Sequence, residues 1–172
     1  MPTPARGAIT ILGLGSLLSE RSARTTFPNL RNFRCVRIRG FRRCFAHSPS
    51  IFVARKISNM ETKELASLSA EPCEGSSFIM TAFEVDDEGS GMDAFREREE
   101  EFKLSMVPYE SLEGTPDPAS ERGMLCEAST DAEYIKQWGQ ERFDDEYTKR
   151  GLSTIWGWGQ DSGLRPCGAY LR

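Results

Sequence analysis

The stretch Ile9-Thr10-Ile11-Leu12-Gly13-Leu14-Gly15-Ser16-Leu17-Leu18 joins a short apolar run to a turn with two glycines and a serine. The run, Ala8–Leu12, is typical of a central β-strand that is buried on both faces. The glycines let the backbone approach a ligand closely, and the amides of residues 15–17 can form an anion-binding nest. An ordinary tight turn into a helix, with Ser16 or Ser19 as the N-cap, explains the same residues. The sequence pattern leaves both interpretations open.

Two phosphate-binding motifs do not fit this turn. The third glycine of a dinucleotide-binding fingerprint falls on Leu18, and Pro28 lies in the short segment before the next strand, which leaves no room for a βαβ unit. A P-loop needs Gly-Lys-Ser or Gly-Lys-Thr, and neither follows the turn. We therefore expect neither of these sites.

Alternating apolar and polar residues predict several further strands. The expected strands are Cys35–Arg39 and Phe41–Ala46 around a bend at Gly40, then Ser50–Arg55, Glu64–Glu71, Ser77–Val85, Phe102–Val107 and Gly123–Ala128. Pro72 and Gly75 indicate a turn before the strand at Ser77.

Fewer segments have a helical pattern. One helix is predicted over Met92–Glu101. A second begins at Thr130, whose spacing to Glu133 fits a capping box, and continues through Trp138. The pattern over Glu141–Lys149 is weakly helical.

The order of these elements indicates the fold class. A polar breaker at residues 86–91 and loops at residues 113–121 and 156–159 separate the periodic segments. Many short strands that do not alternate regularly with helices are typical of an α+β fold. We expect a small mixed β-barrel or curled sheet with a few flanking helices.

Length and composition set the domain organisation. With 172 residues, of which 38% are hydrophobic and 28% are charged, the chain fits a single domain over residues 1–172. We expect a motif-bearing core at residues 8–128 and a C-terminal extension at residues 129–172. A further element begins at Tyr170-Leu171-Arg172, which is typical of a shortened form of a longer chain.

The sequence predicts neither a membrane span nor a secretory signal. No apolar run approaches the roughly 20 residues that a spanning helix needs. The apolar run near the N-terminus is shorter than the roughly 7–15 residues of a secretory core. We expect a cytoplasmic protein without a membrane partner.

Positive charge is concentrated in one short segment, although the net charge is −4. The segment contains Arg31, Arg34, Arg37, Arg39, Arg42 and Arg43. It forms either a patch for RNA or anions, or the solvated face of a strand whose other face carries Val36 and Ile38. Because the net charge is negative and no aromatic residues interleave on the same face, we expect no nucleic-acid partner.

The residue types that usually bind metals or act as nucleophiles give no recognisable site. Five scattered cysteines without C-x-x-C spacing indicate reduced thiols. The only histidine, His47, is not accompanied by a Gly-x-Ser-x-Gly elbow, and we interpret it as a structural or surface residue. No zinc or calcium motif is present, so no metal site is expected.

Glu99 is the carboxylate whose position suggests catalysis. At about 100° per residue, Met92 lies about 60° from Phe95, Phe102 about 20° from it on the other side, and Glu99 about 40° from it. Glu99 therefore falls within the apolar face of the predicted helix. Burial raises the pKa of a carboxyl group, and a raised pKa suits a general acid or base near neutral pH.

Two other interpretations of Glu99 stay open. The helix can end early, which would leave Glu99 in a frayed end, or Glu99 can pair with Arg96 or Arg98. On the same wheel, Glu97 and Glu101 point to the opposite, solvated side.

Four segments, in this order, resemble the gamma-glutamylcyclotransferase superfamily. The turn Gly13–Leu18 is similar to the family's Tyr-Gly-Ser-Leu loop, and Gly40–Phe45 is similar to a Gly-aromatic-Arg-Arg segment of the glutathione-specific branch. Glu74–Val85 resembles a strand of the family, and Phe95–Glu99 resembles Leu-Asp-x-Arg-Glu, whose last residue is the catalytic glutamate. The resemblance runs from Ile9 to about Val107. Leu14 replaces the loop tyrosine, and Phe95-Arg96 replaces Leu-Asp.

The resemblance implies a reaction and a site. The donor's own α-amino group attacks its γ-carbonyl, forms 5-oxoproline and expels an amine, so no protein nucleophile and no cofactor are needed. Glu99 is the implied base. The implied substrate-binding residues are Gly13, Leu14, Gly15, Ser16, Leu17 and Leu18. The partner is a small γ-glutamyl peptide or amine, such as glutathione.

Two competing hypotheses come from different functional classes. A family member without activity can keep the pocket and bind a small carboxylate metabolite or a protein partner, and Leu14 is the residue that favours this. An RNA-binding protein would use the arginine segment. The oligomeric state is open.

Overall fold

A computed structural model describes residues 7–86, 90–112, 122–156 and 163–171. The chain forms two compact units, a first unit of Met1–Arg42 with Ala70–Glu127 and a second unit of Arg43–Ser69 with Ala128–Arg172. The interpretation as a single domain stays a prediction. The predicted loop at 113–121, and parts of the predicted breaker at 86–91 and loop at 156–159, lie outside the described residues.

The described residues combine strands with short helices. The strands are β1 Ala8–Gly13, β2 Arg31–His47, β3 Glu64–Asp86, β4 Lys103–Pro108, β5 Glu110–Ser111, β6 Arg122–Glu127 and β7 Arg165–Pro166. The helices are α1 Glu20–Thr26, α2 Ser50–Ala54, α3 Ser90–Arg98, α4 Asp131–Trp138, α5 Gln140–Glu146 and α6 Gly168–Leu171. Two 3₁₀ turns cover Gly15–Leu18 and Thr148–Arg150. None of these described helices has the length and apolar character needed to cross a membrane.

The strands of the first unit form one curled sheet in the order β4-β6-β1-β3-β2-β5. Strand β1 is antiparallel to β3, with Gly13 opposite Thr81, and parallel to β6. Beyond the end of β1, β6 pairs with β3 itself, at Ala70 opposite Glu127. The long strand β3 therefore bends across the sheet, which is a half-barrel. The predicted α+β fold on a curled sheet is confirmed.

Strand β1 is buried on both faces, as its apolar run predicts. Ile11 packs in one apolar cluster with Ala23 of α1, with Phe27, which follows α1, and with Phe95 of α3. Leu12 packs in a second cluster with residues of β2 and β3, including Val36. Successive side chains of a strand point to opposite faces, so one short strand anchors both clusters.

The second unit is organised around helices α4 and α5. Thr130 caps α4 by accepting a hydrogen bond from the Glu133 amide at 3.1 Å, which confirms the predicted start of this helix. Tyr134 packs edge-on against Tyr147, and Tyr147 stacks on Phe143, with ring centroids 5.5 Å apart in both pairs. These aromatic contacts explain why the weak helical pattern after residue 139 still forms a helix.

The prediction of a strand at Ser50–Arg55 is wrong, because Ser50–Ala54 forms helix α2. The Ser50 hydroxyl donates to Glu146 at 3.1 Å, and Arg150 donates to the Ser50 carbonyl at 3.3 Å. Contacts with residues distant in sequence therefore override the β-propensity of Ile51 and Val53, which is a weak local preference.

The prediction of a turn between Pro72 and Gly75 is also wrong, because β3 continues through both residues. Gly75 has a φ of +76°, a conformation that glycine adopts without strain, so the strand can bend there without ending. Gly40 has the same φ inside β2, at the predicted bend, and the two strands predicted around it form one strand.

The end of β1 leaves no space for a side chain at Gly13. A Cβ at this position would lie 2.3 Å from the Thr81 hydroxyl oxygen and 2.7 Å from the Leu17 carbonyl oxygen. We expect Gly13→Ala to lower the free energy of unfolding by about 1–3 kcal/mol, because the turn must shift to accommodate the methyl group. Chemical denaturation measures the change. Gly168→Ala is the control, since a Cβ there meets nothing within 4 Å, and an equal loss in both variants would contradict this account.

His47 is a buried structural residue of the second unit. Its ring stacks on Trp156 with centroids 4.6 Å apart, and its Nδ1 lies 2.8 Å from the Ser67 hydroxyl. Burial lowers the pKa of His47 to about 3. The imidazole is therefore neutral in the folded protein near pH 7.

The lowered pKa of His47 makes the fold sensitive to acid. The unfolded histidine binds a proton below about pH 6.5 and the folded one only near pH 3, so stability is lost as the pH falls between these values. We expect the wild type to lose about 3 kcal/mol relative to His47→Gln between pH 7 and pH 4. Denaturation curves of both proteins across this range test the expectation, which a constant difference would contradict.

Candidate active site

The turn after β1 is fixed by a buried hydroxyl from β3. Thr81 donates to the Leu17 carbonyl at 2.9 Å and lies 3.3 Å from the Gly13 carbonyl. The next residues form the 3₁₀ turn Gly15–Leu18, and Ser19 then caps α1 by accepting from the Ser22 amide at 3.4 Å. The predicted turn into a helix is confirmed, and of the two N-cap candidates, Ser16 and Ser19, it is Ser19 that caps the helix.

Two of the three predicted nest amides stay available. The Leu17 amide donates to the Leu14 carbonyl at 3.1 Å, which removes it as a ligand donor. Gly15 adopts a φ of +59°. Within the described part of the chain, no acceptor pairs with the amides of Gly15 and Ser16. The predicted anion nest is therefore reduced to these two amides, and its role stays a prediction.

Some side chains of the turn pack against the core, and others are exposed to solvent. Leu17 is buried in the core, and Leu14 packs against the cluster that contains Val36. Ser16 and Leu18 are exposed. Leu14 and Leu17 therefore contribute to packing, and Ser16 presents the polar side chain of the turn.

Glu99 lies directly after α3, at the edge of the core. Helix α3 ends at Arg98, earlier than predicted, but the Glu99 amide still donates to the Phe95 carbonyl at 2.9 Å. Met92 and Phe95 are buried, as the helical wheel predicts, and the Glu99 side chain is only 15% exposed. The prediction that Glu101 points to solvent is wrong, since Glu101 is buried. The wheel does not apply to Glu101, because the chain has already left the helix.

Burial of the Glu99 side chain brings the pKa of its carboxyl group close to neutral pH. Burial raises the pKa of the Glu99 carboxyl to about 7, and the Arg98 guanidinium opposes part of this rise. Arg98 Nε lies 3.1 Å from Glu99 Oε1. The predicted pairing with an arginine is thus confirmed for Arg98, whereas Arg96 pairs with Asp93 at 3.3 Å. Near pH 7, Glu99 exists in both protonation states, as a proton-transfer group requires.

Arg98 joins Glu99 to the turn after β1. Its Nη2 donates to the Ser16 hydroxyl at 2.5 Å, and its Nη1 donates to the Thr26 hydroxyl at 2.6 Å. One guanidinium therefore contacts both the Glu99 carboxylate and the turn after β1. From the sequence, Arg98 is expected only as a charge partner of Glu99, because neither hydroxyl is close to it in sequence.

The buried thiol near this group does not act as a nucleophile. Burial raises the pKa of the Cys126 thiol well above its ordinary value, and the negative charges of Glu99 and Glu101 raise it further. Only the thiolate is a strong nucleophile, so Cys126 stays protonated and unreactive. No group of acidic, histidine and cysteine side chains among the described residues has an arrangement suited to a metal ion.

The arginines of β2 face carboxylates. Arg31 pairs with Asp86 at 2.7 Å and Arg34 with Glu84 at 3.2 Å. Arg39 pairs with Glu110 at 2.8 Å, and Arg42 pairs with Glu71. These carboxylates offset much of the positive charge of the segment, as expected for the polar face of a strand. That the chain binds no nucleic acid stays a prediction.

Comparison with known proteins identifies the fold. No protein-family model matches the sequence, and no curated protein matches it significantly. An uncharacterized protein from Homo sapiens has a TM-score of 0.55 and 13% identity over 72% of this chain and 68% of its own. A structure named gamma-glutamyl cyclotransferase has a TM-score of 0.50 and 12% identity over 81% and 86%. A solution structure from Arabidopsis thaliana has a TM-score of 0.50 and 10% identity over 81% and 87%. The chain has the gamma-glutamyl cyclotransferase-like fold.

The titration of Glu99 has a measurable effect on stability. The folded carboxyl keeps its proton up to about pH 7 and the unfolded one only to about pH 4.5, so its contribution to stability is lost as the pH rises between these values. We expect wild type to lose about 3 kcal/mol relative to Glu99→Gln between pH 4 and pH 8. The difference between the two proteins isolates Glu99 from His47, which acts in the opposite direction.

Denaturation of both proteins at several pH values measures this difference. Glu97→Gln removes an exposed carboxyl from the same helix and serves as the control. A wild-type to Glu99→Gln difference that does not depend on pH would contradict the raised pKa.

Proposed function

We propose that this protein is a gamma-glutamyl cyclotransferase, which converts a γ-glutamyl peptide or amine, glutathione among them, to 5-oxoproline and the free amine. The observation that carries the proposal is Glu99, a carboxyl group with a pKa of about 7 that Arg98 links to the turn after β1. The fold, shared with a structure named gamma-glutamyl cyclotransferase, supports the same reaction class.

Glu99 is the proposed proton-transfer group. In its ionised form it accepts a proton from the α-ammonium of the donor, which leaves an amine able to attack the γ-carbonyl. A new C–N bond then closes the five-membered ring. Ring closure leaves one extra proton on the ring nitrogen, and this proton passes to the leaving nitrogen as the original C–N bond breaks. The proton held by Glu99 then passes to the released amine. Both protons lost by the α-ammonium therefore end on the leaving amine, and Glu99 returns to its ionised form.

The proposed electrophilic assistance comes from the turn. The amides of Gly15 and Ser16 are available donors for the developing oxyanion on the γ-carbonyl or for another substrate oxygen. Among the described residues close to Glu99, the Cys126 thiol stays protonated and gives no activated nucleophile. An intramolecular attack by the substrate itself is compatible with this composition of the site.

The activity is tested by incubating the purified protein with glutathione and with γ-glutamyl amino acids, and by measuring 5-oxoproline. We expect turnover that rises with pH around an apparent pKa near 7, because the base must be ionised. Glu99→Gln should lower the rate at least about a hundredfold, since it cannot accept a proton. Glu97→Gln, at an exposed position of α3, should keep the wild-type rate.

Two results would overturn the proposal. Full activity of Glu99→Gln would remove Glu99 from the mechanism. Thermal stabilisation by γ-glutamyl compounds without any 5-oxoproline would instead indicate a binding protein without activity, the alternative that the replacement of the loop tyrosine by Leu14 suggests.

A further inference from the structure

Arg98 has the properties of a ligand-binding side chain. It lies at the last position of α3 and remains 27% exposed, although its guanidinium is held on three sides. Each of its nitrogens contacts a different oxygen: Nε faces Glu99, Nη1 donates to Thr26 and Nη2 donates to Ser16. The guanidinium is therefore fixed in position while part of it still faces solvent.

The guanidinium retains hydrogen-bonding capacity in this arrangement. A guanidinium carries five N–H groups, one on Nε and two on each terminal nitrogen. The three contacts use one N–H on each nitrogen. One N–H on Nη1 and one on Nη2 therefore have no acceptor among the described residues. Two N–H groups in one plane are the arrangement that binds carboxylates with two hydrogen bonds.

The charge around Arg98 is only partly balanced. Ser16 and Thr26 accept hydrogen bonds but carry no charge. Glu99 is the carboxylate in contact with the guanidinium, and it is protonated in part of the molecules near pH 7. The Cys126 thiol is buried nearby and interacts electrostatically with Arg98, Glu99 and Glu101. Glu99 therefore neutralises the positive charge of Arg98 only in part. An anion that binds the guanidinium gains a favourable electrostatic interaction with the remaining charge.

We infer that Arg98 binds the α-carboxylate of the donor while the adjacent Glu99 receives the α-ammonium, so that the site selects donors with a free amino-acid head group. This inference rests on the proposed function. In a zwitterionic head group the ammonium and the carboxylate are attached to the same carbon atom. The Arg98–Glu99 pair presents the two complementary charges with 3.1 Å between the paired atoms. The available Gly15 and Ser16 amides are then left for the γ-carbonyl oxygen.

Equilibrium binding to a protein that cannot turn over its ligand tests the inference. The background is Glu99→Gln, and the probes are γ-glutamylalanine and the same dipeptide with its glutamyl α-carboxylate converted to a carboxamide. We expect calorimetry to give at least about tenfold tighter binding of the carboxylate, because a charged hydrogen-bond pair is worth more than a neutral one. Adding Arg98→Met should remove this preference and leave carboxamide binding unchanged, and Arg98→Lys should restore part of it.

Arg96→Met in the same background is the matched control, since Arg96 is exposed on the same helix and pairs with Asp93. Thermal unfolding of every variant shows whether the fold is retained. An undiminished preference for the carboxylate in the folded Arg98→Met or Arg98→Lys variants would overturn the inference and leave the proposed function in place. Absence of binding by either probe to a folded Glu99→Gln protein would overturn both.

Discussion

The hydrogen bond from the buried Thr81 hydroxyl to the Leu17 carbonyl determines where the turn after β1 lies. It forms because the register of β1 against β3 sets Gly13 opposite Thr81. A slip of one residue would turn the hydroxyl to the other face of the sheet. The close approach also requires glycine at position 13. Strand register, a buried hydroxyl and the absence of a side chain thus act together, and Ser16 is presented to Arg98 as a result.

Local patterns in the sequence were sufficient for the elements that carry the site. The apolar run of β1 predicted a strand buried on both faces, because both faces of that strand need apolar residues. Ser19 and Thr130 predicted helix starts, since a capping hydroxyl acts over three residues. The helical wheel places Glu99 on the apolar face, because the directions of side chains around a helical turn follow from their spacing in the sequence.

The sequence could not reveal interactions between distant residues. The contact of Arg98 with Ser16 spans 82 residues, and it depends on how α3 packs beside the turn. The helix at Ser50–Ala54 likewise contacts Glu146 and Arg150, which are distant in sequence. The helical pattern does not predict the burial of Glu101, because α3 ends before this residue. In each case contacts between residues distant in sequence determine the local structure. The spacing of apolar residues along a short segment carries no information about such contacts.

The acidity of Glu99 is a balance between two opposing effects, and this balance connects ligand binding to proton affinity. Burial raises its pKa, and Arg98 lowers it. An anion that neutralises the Arg98 charge weakens the second effect, so the proton affinity of Glu99 increases when the anion binds. By linkage, protonation of Glu99 strengthens anion binding to Arg98 by the same free energy. A zwitterionic donor carries an ammonium as well. The positive charge of this ammonium stabilises the ionised form of Glu99, as the charge of Arg98 does before the anion binds. Under the proposed mechanism, a ligand with both charges therefore occupies Arg98 and still leaves Glu99 ionised, as a base must be.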